Sequence, residues 1–133
     1  MSCFADTSAL YAVLDADDAN HARAREAWGV LLETDETLHC TNYILVETFS
    51  LVQRRLGIEA VRAFQGNVAP LLEVTWMDSA AHRAGVNALL IADRRDLSLV
   101  DCTSFETMRR LGLTRAFAFD PHFTEQGFEA FPG

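Results

Sequence analysis

The sequence predicts an α/β fold: a single domain over residues 1–133, arranged as a three-layer α/β/α sandwich around a mainly parallel sheet. Three observations predict it. Short apolar runs alternate with helical periodicities along the chain, which is the pattern of βα units. The 133 residues are the size of one domain, and 50% of them are hydrophobic, enough to bury a core. No internal repeat, low-complexity stretch or linker divides the chain.

Each element has a local reason. Ser2 to Ala5 reads as a strand, followed at once by a helix from Thr7 to Leu14. Asn20 is placed to cap a helix from His21 to about Glu33, whose apolar face would carry Ala22, Ala27, Leu31 and Leu32. Leu38 to Cys40 is a second strand, leading into a helix from Tyr43 to Leu56 that Gly57 stops. Ile58 to Val68 makes a short helix ended before Pro70, and Leu71 to Trp76 is a candidate buried strand. Ser79 to Ala92 is a helix rich in small residues, with Ala81, Ala84, Ala88 and Leu89 on one side. Ser98 opens the next helix and Gly112 closes it. A strand from Arg115 to Phe119 runs into Asp120-Pro121, a favourable helix start, and Phe128 to Phe131 is a candidate edge strand.

Composition narrows the function. The formal net charge is −8, from 11 basic and 19 acidic residues, the opposite of the usual footprint for coating nucleic acid. Every basic residue is arginine, so mechanisms that need a phosphate-binding or Schiff-base lysine are excluded. No apolar run approaches the roughly 18–20 residues that cross a bilayer. The first residues, MSCFADTSAL, lack the basic start and apolar centre of a signal peptide, so a cytoplasmic address and no membrane partner are expected. Cys3, Cys40 and Cys102 have neither paired number nor CxxC spacing, which points to buried reduced thiols.

Four carboxylates stand in telling places. Asp6 lies where a parallel sheet presents its ligands, at the end of the first strand, although Asp-Thr-Ser is also a good helix cap. Glu47 shares a helical face with Ile44 and Leu51. A carboxylate on an apolar stripe must meet a cation, a donor or a metal, and an arginine would satisfy it too. Asp101 heads the stripe of Phe105 and Met108, with Thr103, Glu106 and Arg110 facing elsewhere, and it also stands three residues after Ser98, the spacing of a capping box. Asp120 ends a strand just before Pro121, where an N-cap is an adequate reason for it. Taken together, two strand-end aspartates and two inward-facing acids form a donor set suited to Mg²⁺ or Mn²⁺, leaving room for a phosphate oxygen and a water. Such an ion reverses the local sign, so an acidic protein can hold a polyanion, with Arg54-Arg55, Arg94-Arg95 and Arg109-Arg110 available for flanking phosphates or simply as solvated faces.

The segments FADTSAL, the helix carrying Glu47, SLVDCTSFETMRRLG and AFDPHF resemble the PIN-domain ribonucleases, and among them the VapC toxins of toxin-antitoxin pairs, over nearly the whole chain. The resemblance implies a sheet order of 3-2-1-4-5. It assigns Asp6, Glu47, Asp101 and Asp120 to a catalytic quartet that binds Mg²⁺ or Mn²⁺, with Thr7 or Ser8 in support. It further implies an endoribonuclease that hydrolyses RNA phosphodiesters to a 5′-phosphate and a 3′-hydroxyl, a homodimer and an antitoxin partner. A stand-alone PIN nuclease of RNA processing and a noncatalytic interaction domain of the same fold are the alternatives. A phosphoacceptor receiver domain is excluded, since it needs adjacent acids after its first strand and a lysine after its last. His21, His39, His82 and His122 show no mutual spacing that would support a metal-free histidine mechanism, and His122 is expected at the surface. Asp15, Asp17, Asp18 and Asp93 read as loop and helix-end acids. Asp96 reads the same way, or as a support to nearby Asp101.

Overall fold

In the computed structural model, which describes residues 1–133, five strands form one sheet in the order β3-β2-β1-β4-β5. They are β1 (Ser2–Ala5), β2 (Thr37–Thr41), β3 (Leu72–Thr75), β4 (Arg115–Phe117) and β5 (Glu129–Phe131), and every neighbouring pair is parallel. The expected α/β class and the order 3-2-1-4-5 are therefore both present. Parallel neighbours require crossovers, and seven helices supply them: α1 (Thr7–Leu14), α2 (His21–Glu33), α3 (Asn42–Leu56), α4 (Ile58–Asn67), α5 (Ser79–Ala92), α6 (Leu99–Leu111) and α7 (His122–Glu125). Consecutive residues Cys3, Phe4 and Ala5 are fully buried although their side chains alternate in direction, so helices must cover both faces of central β1.

Several boundaries differ from expectation, each for a local reason. Asn20 offers no side-chain cap to α2; its own N–H is instead taken by Asp18 Oδ1 at 2.8 Å. The face of α2 that packs inward is Ala24, Ala27 and Leu31, while Ala22 and Leu32 are exposed. Pro70 sits inside a single 3-10 turn, Ala69–Leu71, so β3 starts at Leu72. As an edge strand, β3 buries only Leu72, and Trp76 beyond it is exposed. β4 stops at Phe117, because the next residues turn to Phe131 and to the Ser8 hydroxyl. The three thiols are free and buried, as expected, and burial pushes Cys3 up to about 11 and Cys40 to about 12.

Thr103 does not point away from the core. It is buried against α5, whose buried residue is Gly85 rather than one of the alanines. A Cβ on Gly85 would overlap Thr103 Cγ2, and the Thr103 hydroxyl already donates to the Leu99 and Val100 carbonyls at 3.0 and 2.9 Å. Ala gains about 1 kcal/mol of helix propensity over Gly, while overpacking costs about 1–3 kcal/mol. Gly85→Ala is accordingly expected to lower the melting midpoint by a few degrees, and a midpoint at or above wild type would show that α5 and α6 separate freely.

Candidate active site

The C-terminal ends of β1 and β4 meet at one point, and the hydrogen bonds there show how. The Asp6 N–H donates to the Phe117 carbonyl at 3.0 Å, tying the end of β1 to β4. The Ser8 hydroxyl donates to Asp6 Oδ2 at 2.6 Å and accepts the Phe119 N–H at 3.0 Å, so one side chain joins the two strand ends. Asp6 Oδ2 also takes the Ser8 N–H at 3.1 Å and caps α1. Helix α3 is fixed beside α1 by Thr7, whose hydroxyl lies 2.9 Å from that of Thr48 and donates to the Ile44 carbonyl at 3.4 Å. This places Glu47 over the strand ends.

Helix α6 enters through a full capping box. The Asp101 N–H donates to Ser98 Oγ and the Ser98 N–H donates to Asp101 Oδ2, both at 3.0 Å. The capping role and a place in the cavity therefore coexist. Asp120 accepts the His122 N–H on Oδ1 at 2.9 Å, which explains its position before α7 without using its second oxygen.

All four acids line one cavity of about 420 Å³, together with Thr7, Ser8, Ser50, Leu51, Arg54 and Ser98. None forms an ion pair with an arginine, so the arginine partner that could have satisfied Glu47 is absent. Burial raises the carboxyl of Asp6 to about 7, against the two Ser8 hydrogen bonds and with further push from Glu47 and Asp120. Burial likewise raises Glu47, which the Thr7 hydroxyl opposes and Asp101 and Asp120 reinforce. Asp101 is raised too, by burial and Asp120 against the Ser98 bonds. Three carboxyls are thus pushed upward in one cavity, chiefly by burial and further by the charge of their acidic neighbours. Of the arginines considered for phosphate binding, Arg54 lines the cavity, whereas Arg55 stacks over Tyr11, Arg94 pairs with Asp96 and Glu125, and Arg109 pairs with Glu106.

His122 corrects the reading of a surface residue. Its side chain is 16% exposed, with Nδ1 2.9 Å from Asp120 Oδ1 and 3.8 Å from Asp101 Oδ2. Asp101, Asp120 and His122 offer ligand atoms within 4.8 Å of one another, while Asp6 and Glu47 stand farther along the cavity wall. A lone histidine has no spacing signal; only its position two residues after a site aspartate hinted at it. Asp96 reaches His122 rather than Asp101.

The donor chemistry fits a divalent cation. It is rich in hard oxygens, includes one imidazole, and pairs none of the four acids with an arginine, although Arg54 stands at the cavity wall.

The family model of the PIN domain matches residues 3–129. The 23S rRNA-specific endonuclease VapC20 of Mycobacterium tuberculosis is 33% identical over 126 residues, covering 94% of each chain. The crystal structure of VapC20 from the same organism, described as a Sarcin-Ricin loop cleaving toxin, matches with a TM-score of 0.83 at 31% identity over 95% of each chain. FitAcB from Neisseria gonorrhoeae matches with a TM-score of 0.68 at 15% identity, over 98% of this chain and 96% of that one, which shows a shared fold.

Proposed function

The chain belongs to the PIN domain family, and from that membership and the acidic cavity we propose that it is an endoribonuclease dependent on Mg²⁺ or Mn²⁺, the toxin of a toxin-antitoxin pair. One observation carries the reading: Asp6, Glu47, Asp101 and Asp120, from four separate segments, line a single cavity with no arginine paired to any of them. The likeness to VapC20 supports ribosomal RNA as the substrate class, and the toxin role brings with it a protein antitoxin, a homodimer and a cytoplasmic setting.

In this reading the quartet holds the cation. When bound, the ion supplies Lewis-acid polarisation of the phosphate and a water acidic enough to act as nucleophile near neutral pH. The protein's own part is positioning. Ser8 orients the Asp6 carboxylate and locks the two strand ends, and the Thr7–Thr48 contact sets the height of Glu47 above them. Arg54, exposed at the cavity wall, is placed to engage a phosphate flanking the one that is cut. Hydrolysis breaks the P–O3′ bond and needs no protein nucleophile.

Purified protein is expected to cut an RNA fragment containing the sarcin-ricin loop in Mg²⁺ or Mn²⁺, to stop in EDTA and to resume when excess metal is restored. Undiminished cutting in EDTA would remove the metal from the mechanism. Expression in a bacterial host without an antitoxin should arrest growth; active enzyme that leaves growth untouched would make this a stand-alone nuclease.

A further inference from the structure

The cluster around His122 holds more than four acids explain. Nδ1 of His122 is sealed from solvent and has no hydrogen-bond partner, although Asp120 Oδ1 lies 2.9 Å away. On the other side of the ring, Nε2 is 3.3 Å from Asp96 Oδ2 and 3.8 Å from Glu125 Oε2. Asp96 is itself gripped by both arms of Arg94, with Nε at 3.0 Å and Nη2 at 2.7 Å. In the tautomer that donates Nε2–H to Asp96, the Nδ1 lone pair faces Asp120 and Asp101. A divalent cation seated between these three atoms would supply the positive charge that a proton on Nδ1 supplies in its absence.

We infer that His122 is a nitrogen ligand of the divalent ion through Nδ1, that Asp96 is the residue positioning its ring, and that this donor favours Mn²⁺ over Mg²⁺. The inference rests on the nuclease reading above and specifies its metal.

Two arguments support it. Neighbouring ligands in an octahedral shell with bonds of about 2.1 Å stand about 3 Å apart, and opposite ones about 4 Å. The separations of Nδ1 from Asp120 and Asp101, 2.9 and 3.8 Å, lie within that range. A carboxylate on the far nitrogen is also the usual device for fixing the tautomer and direction of a ligating histidine. As for the choice of ion, magnesium prefers an all-oxygen octahedron, whereas mixed carboxylate and imidazole sets are those of iron and manganese sites. Asp96 and His122 are far apart in sequence, so only the fold brings this support into place.

The test uses the full chain without a histidine tag. Pulsed EPR on the Mn²⁺-loaded wild type should show hyperfine coupling to a directly bound imidazole nitrogen, and His122→Ala should abolish it. By calorimetry, His122→Ala should weaken Mn²⁺ binding about 10–100-fold, and Mg²⁺ binding less than about 3-fold. Asp96→Ala should weaken Mn²⁺ about 10-fold and broaden the nitrogen signal, while Asp96→Asn, whose amide oxygen still accepts from Nε2–H, should restore most of both. Mn²⁺ bound without nitrogen coupling, or coupling that survives in His122→Ala, overturns the inference and leaves the nuclease reading standing. Wild type that binds neither ion overturns both. The wild-type spectrum decides the ligand even where a variant fails to fold.

Discussion

Asp101→Asn and Asp6→Asn are each expected to reduce RNA cleavage at least about 100-fold while leaving the fold intact. The reason lies in what each substitution preserves. Asn at 101 keeps an oxygen to accept the Ser98 N–H, and Asn at 6 keeps one for the Ser8 N–H and hydroxyl, so both caps survive. Only the charge and one ligand oxygen are lost. Cleavage of the same RNA fragment under saturating Mg²⁺, alongside far-UV dichroism, measures the two consequences separately. Wild-type rates in both variants would take these aspartates out of the chemistry.

The same Asp6→Asn exchange is expected to make the metal-free protein more stable at pH 8, by about 5–10 °C in the melting midpoint. The folded protein holds the Asp6 carboxyl at about 7, whereas the unfolded chain titrates near its ordinary 3.8. Between those values the folded state binds the proton that the unfolded state has released. The contribution of Asp6 to stability is therefore greatest below about pH 4, falls as pH rises toward 7 and levels off above it, a loss of up to about 4 kcal/mol for some 3 units. The raised Glu47 and Asp101 act in the same direction. Asn has no proton to lose, so the midpoints of variant and wild type should diverge from pH 4 upward in EDTA and converge below. Mn²⁺ should then raise the wild-type midpoint more than the variant's, since stabilisation follows affinity. A helix cap and nothing more predicts equal midpoints at every pH and no response to metal in either protein; that result would remove Asp6 from the site.

Much of this architecture was legible because it rests on local rules. Strand-then-helix patterns at Ser2–Leu14 and at Leu38–Leu56 follow from apolar periodicity, and Gly57 and Gly112 end their helices at positive φ, where a side chain is strained. The sheet order followed from the family resemblance, since nothing in a strand's own residues says which neighbour it takes. The four acids were legible because strand ends and inward helical stripes can be read from position alone. His122, Asp96 and Gly85 were not, because each owes its role to a partner brought close by folding: Asp120 and Asp101 around the imidazole ring, Thr103 against the glycine. Asn20 misled because its backbone, at φ −99° and ψ 7°, is outside the extended region from which a side chain caps a helix.

The bond from Phe119 N–H to Ser8 Oγ spans 111 residues and joins the two strand ends on which the cavity is built. At synthesis rates of about 5–20 residues per second, roughly 5–20 s separate the making of its two halves. Until β4 exists, β1 has no partner on that side, and Asp6 has neither the Phe117 carbonyl nor Asp120 beside it. The growing chain consequently carries scattered acids rather than an assembled site. If the proposed action on ribosomal RNA holds, this ordering keeps the translating ribosome out of reach until the last strands have been added.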